Sequence, residues 1–130
     1  MDIKRYGIIL YVHLFEECVT FYKRIFHLQE IFSKADGEFR LSCLEFGASY
    51  LMIETGGVAC AAGKSVAQNP VKLRFNVSDI HQACEKLNAR GVQAAVVETE
   101  WGSIININDP DGNPISIRDD GGFQSQMAQI

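Results

Sequence analysis

The apolar residues of this chain fall into a period that switches repeatedly between two and about 3.6. Residues 6–12, YGIILYV, are rich in β-formers and predict a strand. Directly after it, Phe15, Cys18, Val19, Tyr22 and Phe26 recur at i, i+3, i+4, i+7 and i+11, which places one apolar stripe on a helix. Residues 30–34 and 39–46 then read as two strands flanking a turn at Asp36-Gly37, and residues 49–54, SYLMIE, as another. The stretch 56–70, GGVACAAGKSVAQNP, is small, glycine-rich and aperiodic, the pattern of a linker or mobile loop.

Beyond it the plan restarts. Residues 72–77, KLRFNV, predict a strand. Asp79-x-x-Gln82 resembles a capping box, Ile80, Ala83, Cys84 and Leu87 form a buried helical face, and Gly91 is placed to stop the helix. Residues 92–97, 103–108 and 114–118 follow as three strands. A tail from Asp119-Asp120-Gly121-Gly122 onward is rich in Gly and Gln and is expected to be loosely held. The order strand, helix, three strands therefore occurs twice, in modules of about 3–55 and 71–118 joined by 56–70. Gly7 aligns with Lys72 and Val12 with Val77, and the repeat lies in element order rather than in residue identity.

Composition narrows the picture. The 130 residues, 47% of them hydrophobic, suit one domain spanning 1–130 with a real core. No window approaches the ~18 apolar residues of a membrane span, and the N-terminus lacks the pattern of a signal peptide. Cys18, Cys43, Cys60 and Cys84 are widely spaced with no CxxC, which points to a reducing, cytoplasmic setting without a disulfide framework. A formal net charge of -4 and no basic run argue against nucleic acid as a partner.

Two segments carry a resemblance. "TFYKRIFHL", residues 20–28, and "WGSIININDPDGNPISI", residues 101–117, are similar to the "FY…LGL" and "WG…DPDGN…E" segments of the vicinal oxygen chelate superfamily, which includes glyoxalase I, extradiol dioxygenases, methylmalonyl-CoA epimerase, and fosfomycin and bleomycin resistance proteins. The resemblance covers roughly residues 6–118. It implies an α+β fold of two βαβββ modules forming a U-shaped mixed sheet, a small-molecule site in that cup, and a homodimer. Function does not follow, because family function lives in the site.

Members bind a divalent metal through up to four residues. Carried over position by position, these fall on Gly7, Glu54, Lys72 and Ser116. Only Glu54 keeps a ligand type. Glycine offers no side chain, a protonated ammonium has no lone pair, and a hydroxyl is a weak ligand, so about three donors from His, Asp, Glu or Cys are not assembled. The resemblance thus implies a metal-free member with no cofactor.

Strand parity identifies what shares a face with these positions. Ile9 and Tyr11 join Gly7; Tyr50 and Met52 join Glu54; Arg74 and Asn76 join Lys72; Pro114 and Arg118 join Ser116; Asn106 and Asn108 are assigned to the same face. The reverse faces are apolar throughout: Ile8, Leu10 and Val12; Leu51 and Ile53; Leu73, Phe75 and Val77; Ile115 and Ile117. The expected ligand-binding set is Tyr11, Tyr50, Glu54, Lys72, Arg74, Asn106, Ser116 and Arg118. Three cations against one anion point to an anionic ligand. The alternative is that these charges pair with Glu54 or a partner subunit, or are solvated. Trp101 reads as closing the core rather than walling a cavity. His13, His27 and His81 have no metal spacing and read as solvated. Cys18 and Cys84 read as core, and Cys43 and Cys60 as candidates for exposure without an activating base. The competing function is a lyase, isomerase or dioxygenase of the same superfamily, metal-dependent with unusual ligands, or metal-free through Glu54 and Lys72; a regulatory module with a vestigial cup is a third.

Overall fold

A computed structural model describes residues 1–129. Eight strands and three helices follow in the order β1 (Gly7–Val12), α1 (Phe15–Ile25), β2 (Glu30–Asp36), β3 (Phe39–Phe46), β4 (Ser49–Thr55), β5 (Leu73–Val77), α2 (Ile80–Ala89), β6 (Val97–Thr99), β7 (Gly102–Asn108), β8 (Pro114–Asp119) and α3 (Asp120–Ala128). They form two mixed four-stranded sheets, β1-β4-β3-β2 and β5-β8-β7-β6. Both repeat one wiring: the first strand lies parallel to the last, and the other pairs are antiparallel. This is the α+β class that the twofold βαβββ pattern predicts. No helix among the described residues is long and apolar enough to cross a membrane.

The chain forms two compact units, residues 1–62 with 110–112, and 63–109 with 113–130. In the first, α1 packs on β4. Its buried residues Phe15, Cys18, Val19, Tyr22 and Ile25 meet a sheet whose fully covered residues include Val12, Leu44, Leu51 and Ile53. The apolar spacing of the sequence thus locates this core. Phe26, expected on the same stripe, is instead the residue that ends the helix, its N–H returning to the Tyr22 carbonyl. The segment entering the helix is held from afar: Asp111 accepts hydrogen bonds from the N–H groups of His13 (3.0 Å) and Leu14 (2.8 Å), the two residues just before α1. A carboxylate there meets otherwise orphaned donors and the positive end of the helix dipole.

In the second unit, α2 packs on β7 and β8, whose buried apolar residues are Ile105, Ile107, Ile115 and Ile117. Asp79 caps it, accepting from the Gln82 N–H as the sequence predicts. Asp109 and Asn113 close the turn between β7 and β8 with three mutual bonds, each 2.9 Å.

Three expectations are corrected. The strand expected over residues 92–97 is displaced to Val97–Thr99, because the Asn88 side chain takes both the N–H and the C=O of Ala94 and leaves neither for a ladder. Lys72 lies just before β5; the register sets it opposite Pro114, which has no N–H to give. Residues 56–70 form neither strand nor helix, in keeping with a linker; within them Gly57 and Cys60 donate to the carbonyls of Val12 and Asp111 and a turn closes at Ser65. The tail expected to be loose forms α3: the Asp119 carboxylate caps it at Gly122, and the helix packs on β5, β7 and β8.

Candidate functional site

The predicted site residues divide between the two sheets. On the first, the parallel register of β1 and β4 sets Gly7 beside Tyr50, Ile9 beside Met52 and Tyr11 beside Glu54. These residues occupy the face opposite the α1 core, as alternation predicts. Tyr50 does more than line this face. A Cβ built on Gly7 would come within 2.2 Å of the Tyr50 ring carbons, so the ring crowds the place where a side chain on β1 would begin. An ~830 Å³ recess opens beside it, lined among others by Arg5, Phe32, Cys43, Tyr50 and Met52. Cys43, read as a candidate for exposure, is 2% exposed, and burial pushes its thiol pKa upward, away from nucleophilic use.

On the second sheet, one register row reads Arg74, Ser116, Asn106, and the next but one, on the same face, reads Asn76, Arg118, Ile104, Val97. Arg74 and Asn106 are exposed, and Lys72 is exposed in the segment before β5. Neither Lys72 nor Arg74 makes an ion pair among the described residues. Ser116 is fully buried and its Oγ has no hydrogen-bond partner.

Arg118 departs most from expectation. It is only 4% exposed, with α3 packed against its strand. Its Nη1 donates to Oε1 of Gln126 (2.7 Å), its Nη2 donates to the Trp101 carbonyl (2.6 Å), and its guanidinium stands 5.4 Å from the centre of the Phe123 ring. The Nε is buried without a partner. Its hydrogen-bonding partners are thus neutral. The neighbouring Asp119 carboxylate accepts from the N–H groups of Gly122 (2.7 Å) and Ser103 (2.9 Å). Those bonds, with a smaller contribution from the Arg118 charge, hold its pKa below the ordinary carboxylate value.

A recess of about 330 Å³ lies here, lined by Arg74, Thr99, Trp101, Ile104, Arg118 and Gln126. Trp101 is 60% exposed, so it walls this recess and does not close the core as expected. Its backbone is pinned on two sides: its N–H donates to the Thr99 hydroxyl and its carbonyl accepts from Arg118. Sequence reasoning identified Arg74 and Arg118 but missed Thr99, Ile104 and Gln126. Gln126 was the hardest to find, because it belongs to a segment whose glycines read as coil. The aromatic Phe123 within that segment was the available signal.

Among the described residues no group of three or more His, Cys, Asp or Glu is arranged to hold a metal ion. The donor set implied by the resemblance does not fit a metal either: Gly7 has its space occupied by Tyr50, Lys72 is a cation, and Ser116 is a hydroxyl.

The family model for the Glyoxalase/Bleomycin resistance protein/Dioxygenase superfamily matches residues 6–117. Comparison with curated proteins gave no match. Among solved structures, SMU.1112c aligns with a TM-score of 0.76 at 17% identity, covering 91% of this chain and 99% of that one. TnmS3, an antibiotic binding protein from Streptomyces sp. CB03234, aligns at 0.71 and 19% identity over 92% and 98%. The fosfomycin resistance protein FosX from Mesorhizobium loti aligns at 0.71 and 15% identity over 98% and 99%. At these identities the likeness is one of fold.

Proposed function

This chain belongs to the glyoxalase/bleomycin resistance protein/dioxygenase superfamily, and from that premise we propose that it binds a small organic anion without a divalent metal. The observation that carries the reading is the substitution of the ligand positions. Tyr50 fills the space over Gly7, and a lysine and a serine stand at two further positions, so Lewis-acid activation of a substrate oxygen has no site to start from. In place of a metal, the second unit offers Arg74 and Lys72 without ion pairs among the described residues, and a buried Arg118 whose hydrogen-bonding partners are neutral. Guanidinium groups match carboxylate and phosphate geometry. The same scaffold serves an antibiotic binding protein and fosfomycin resistance proteins, which supports small-molecule binding as its use here.

Metal analysis of tag-free protein is the test. The proposal expects Zn, Ni, Fe and Mn far below one equivalent per chain; a stoichiometric metal, or an ion bound to Glu54, contradicts it. We also propose that the working form is a homodimer, because Ile9, Tyr11 and Phe32 leave about half of their apolar side chains uncovered in the first unit. Sedimentation equilibrium at micromolar concentration should give a dimer, and a purely monomeric chain contradicts this part.

A further inference from the structure

We propose that the recess on the second unit is an aromatic-carboxylate site in which Arg74 and Gln126 take the carboxylate and Trp101 takes the ring. The inference rests on the small-anion reading above and narrows it to one ligand class and one place.

The charge of the walls is the first argument. Arg74 and Arg118 line the recess, and no carboxylate is among its lining residues. The hydrogen-bond partners of Arg118 are neutral, and the Asp119 carboxylate beside it is tied to the Gly122 and Ser103 N–H groups and lies outside the lining of the recess. Arg74, two register rows away on the same face and exposed, is the donor an entering anion can reach. The Gln126 side chain points the same way: with Oε1 on Arg118, its amide nitrogen supplies further donors and no acceptor. The buried, unpartnered Nε of Arg118 is a second sign that this cluster is one acceptor short.

The apolar walls select the rest of the ligand. Trp101 is the only tryptophan of the chain, and it is largely exposed beside the cations. Its backbone is anchored at both N–H and C=O, so the position from which the exposed indole reaches over the recess is held before a ligand arrives. Ile104 adds apolar surface on the same wall. A recess of about 330 Å³ stands at the small end of ligand sites, which suits one or two rings and excludes extended molecules. Cations that fix a carboxylate and an indole that stacks a flat ring together describe an aromatic acid.

Trp101 also supplies the reporter. In the full-length protein, titration with benzoate and with indole-3-acetate should give a saturable change in tryptophan fluorescence and a matching calorimetric isotherm. Benzamide, with the charge removed, and cyclohexanecarboxylate, with the flat ring removed, should each bind at least about tenfold more weakly, in line with the loss of a charge-assisted bond or of a stacked ring. Arg74→Ala leaves the tryptophan in place and should raise the benzoate Kd about tenfold or more. Benzamide binding as tightly as benzoate overturns the proposal, as does an unchanged Kd in Arg74→Ala or no saturable signal by either method at millimolar ligand. If the aromatic acids fail while acetate or inorganic phosphate raises the melting temperature, this inference falls and the small-anion reading stands. If no anion acts, or only amines do, both fall.

Discussion

Asp119 does two jobs with one carboxylate. It caps α3 at Gly122 and holds the start of β7 at Ser103, and those N–H donors, more than its charged neighbour, lower its pKa. A depressed carboxylate contributes stability that is fully present above its unfolded value, near pH 4, and that is lost as pH falls through the lower folded value. Asp119→Asn should therefore be clearly less stable than the parent at pH 6–7, and the gap should close as pH drops below about 4. Urea midpoints of both proteins across that range are the check; a gap independent of pH would mean that the charge contributes nothing. At this scale the sequence was partly legible. Parity placed Arg74, Asn106, Ser116 and Arg118 on one side of the second sheet, and the register agrees. Parity cannot say what covers a face, so the burial of Arg118 and the exposure of Trp101 were not visible.

Among the elements, α3 was hidden for an energetic reason. Gly121 and Gly122 each cost ~1 kcal/mol in a helix relative to alanine, and the helix has no apolar stripe to signal it. It forms because Asp119 caps it and because Gln126 and Phe123 find Arg118. The two glycines are not equivalent. A Cβ at Gly121 would make ordinary contact, 3.7 Å from Asp119, whereas one at Gly122 would press to 3.0 Å on the capping carboxylate and 3.4 Å on the Arg118 guanidinium. Gly121→Ala should stabilise the protein by about 0.5–1 kcal/mol, and Gly122→Ala should give no gain or a loss. Thermal midpoints, with amide exchange over residues 120–128, measure this; equal gains at both positions would show that the contacts around Asp119 are not tight. The short β6 was hidden for a related reason, since a side chain, Asn88, replaced the ladder that β-propensity alone would predict.

Across the whole molecule, the twofold element order and the reach of the superfamily were legible from the apolar period and from the "DPDGN" turn. That turn earns its residues structurally. Asp109 and Asn113 lock the β7–β8 connection, while Asp111, fully buried, holds the N–H groups of His13 and Leu14 just before α1. Chemistry was legible only as an expectation, from the three positions, Gly7, Lys72 and Ser116, at which the resemblance implies metal ligands and this chain has none of His, Asp, Glu or Cys. Of these three only Lys72 is a cation; the proposed anion site draws its charge from Lys72 together with Arg74 and Arg118, and that is the core of the functional reading.

The measurement that tests it most directly is a thermal-shift series of small carboxylates, phosphates and amines, each run with and without EDTA. The account predicts that carboxylates or phosphates raise the melting temperature, that EDTA leaves the shift unchanged, and that amines do nothing. Stabilisation that appears only with a divalent metal present, or only with amines, would contradict it.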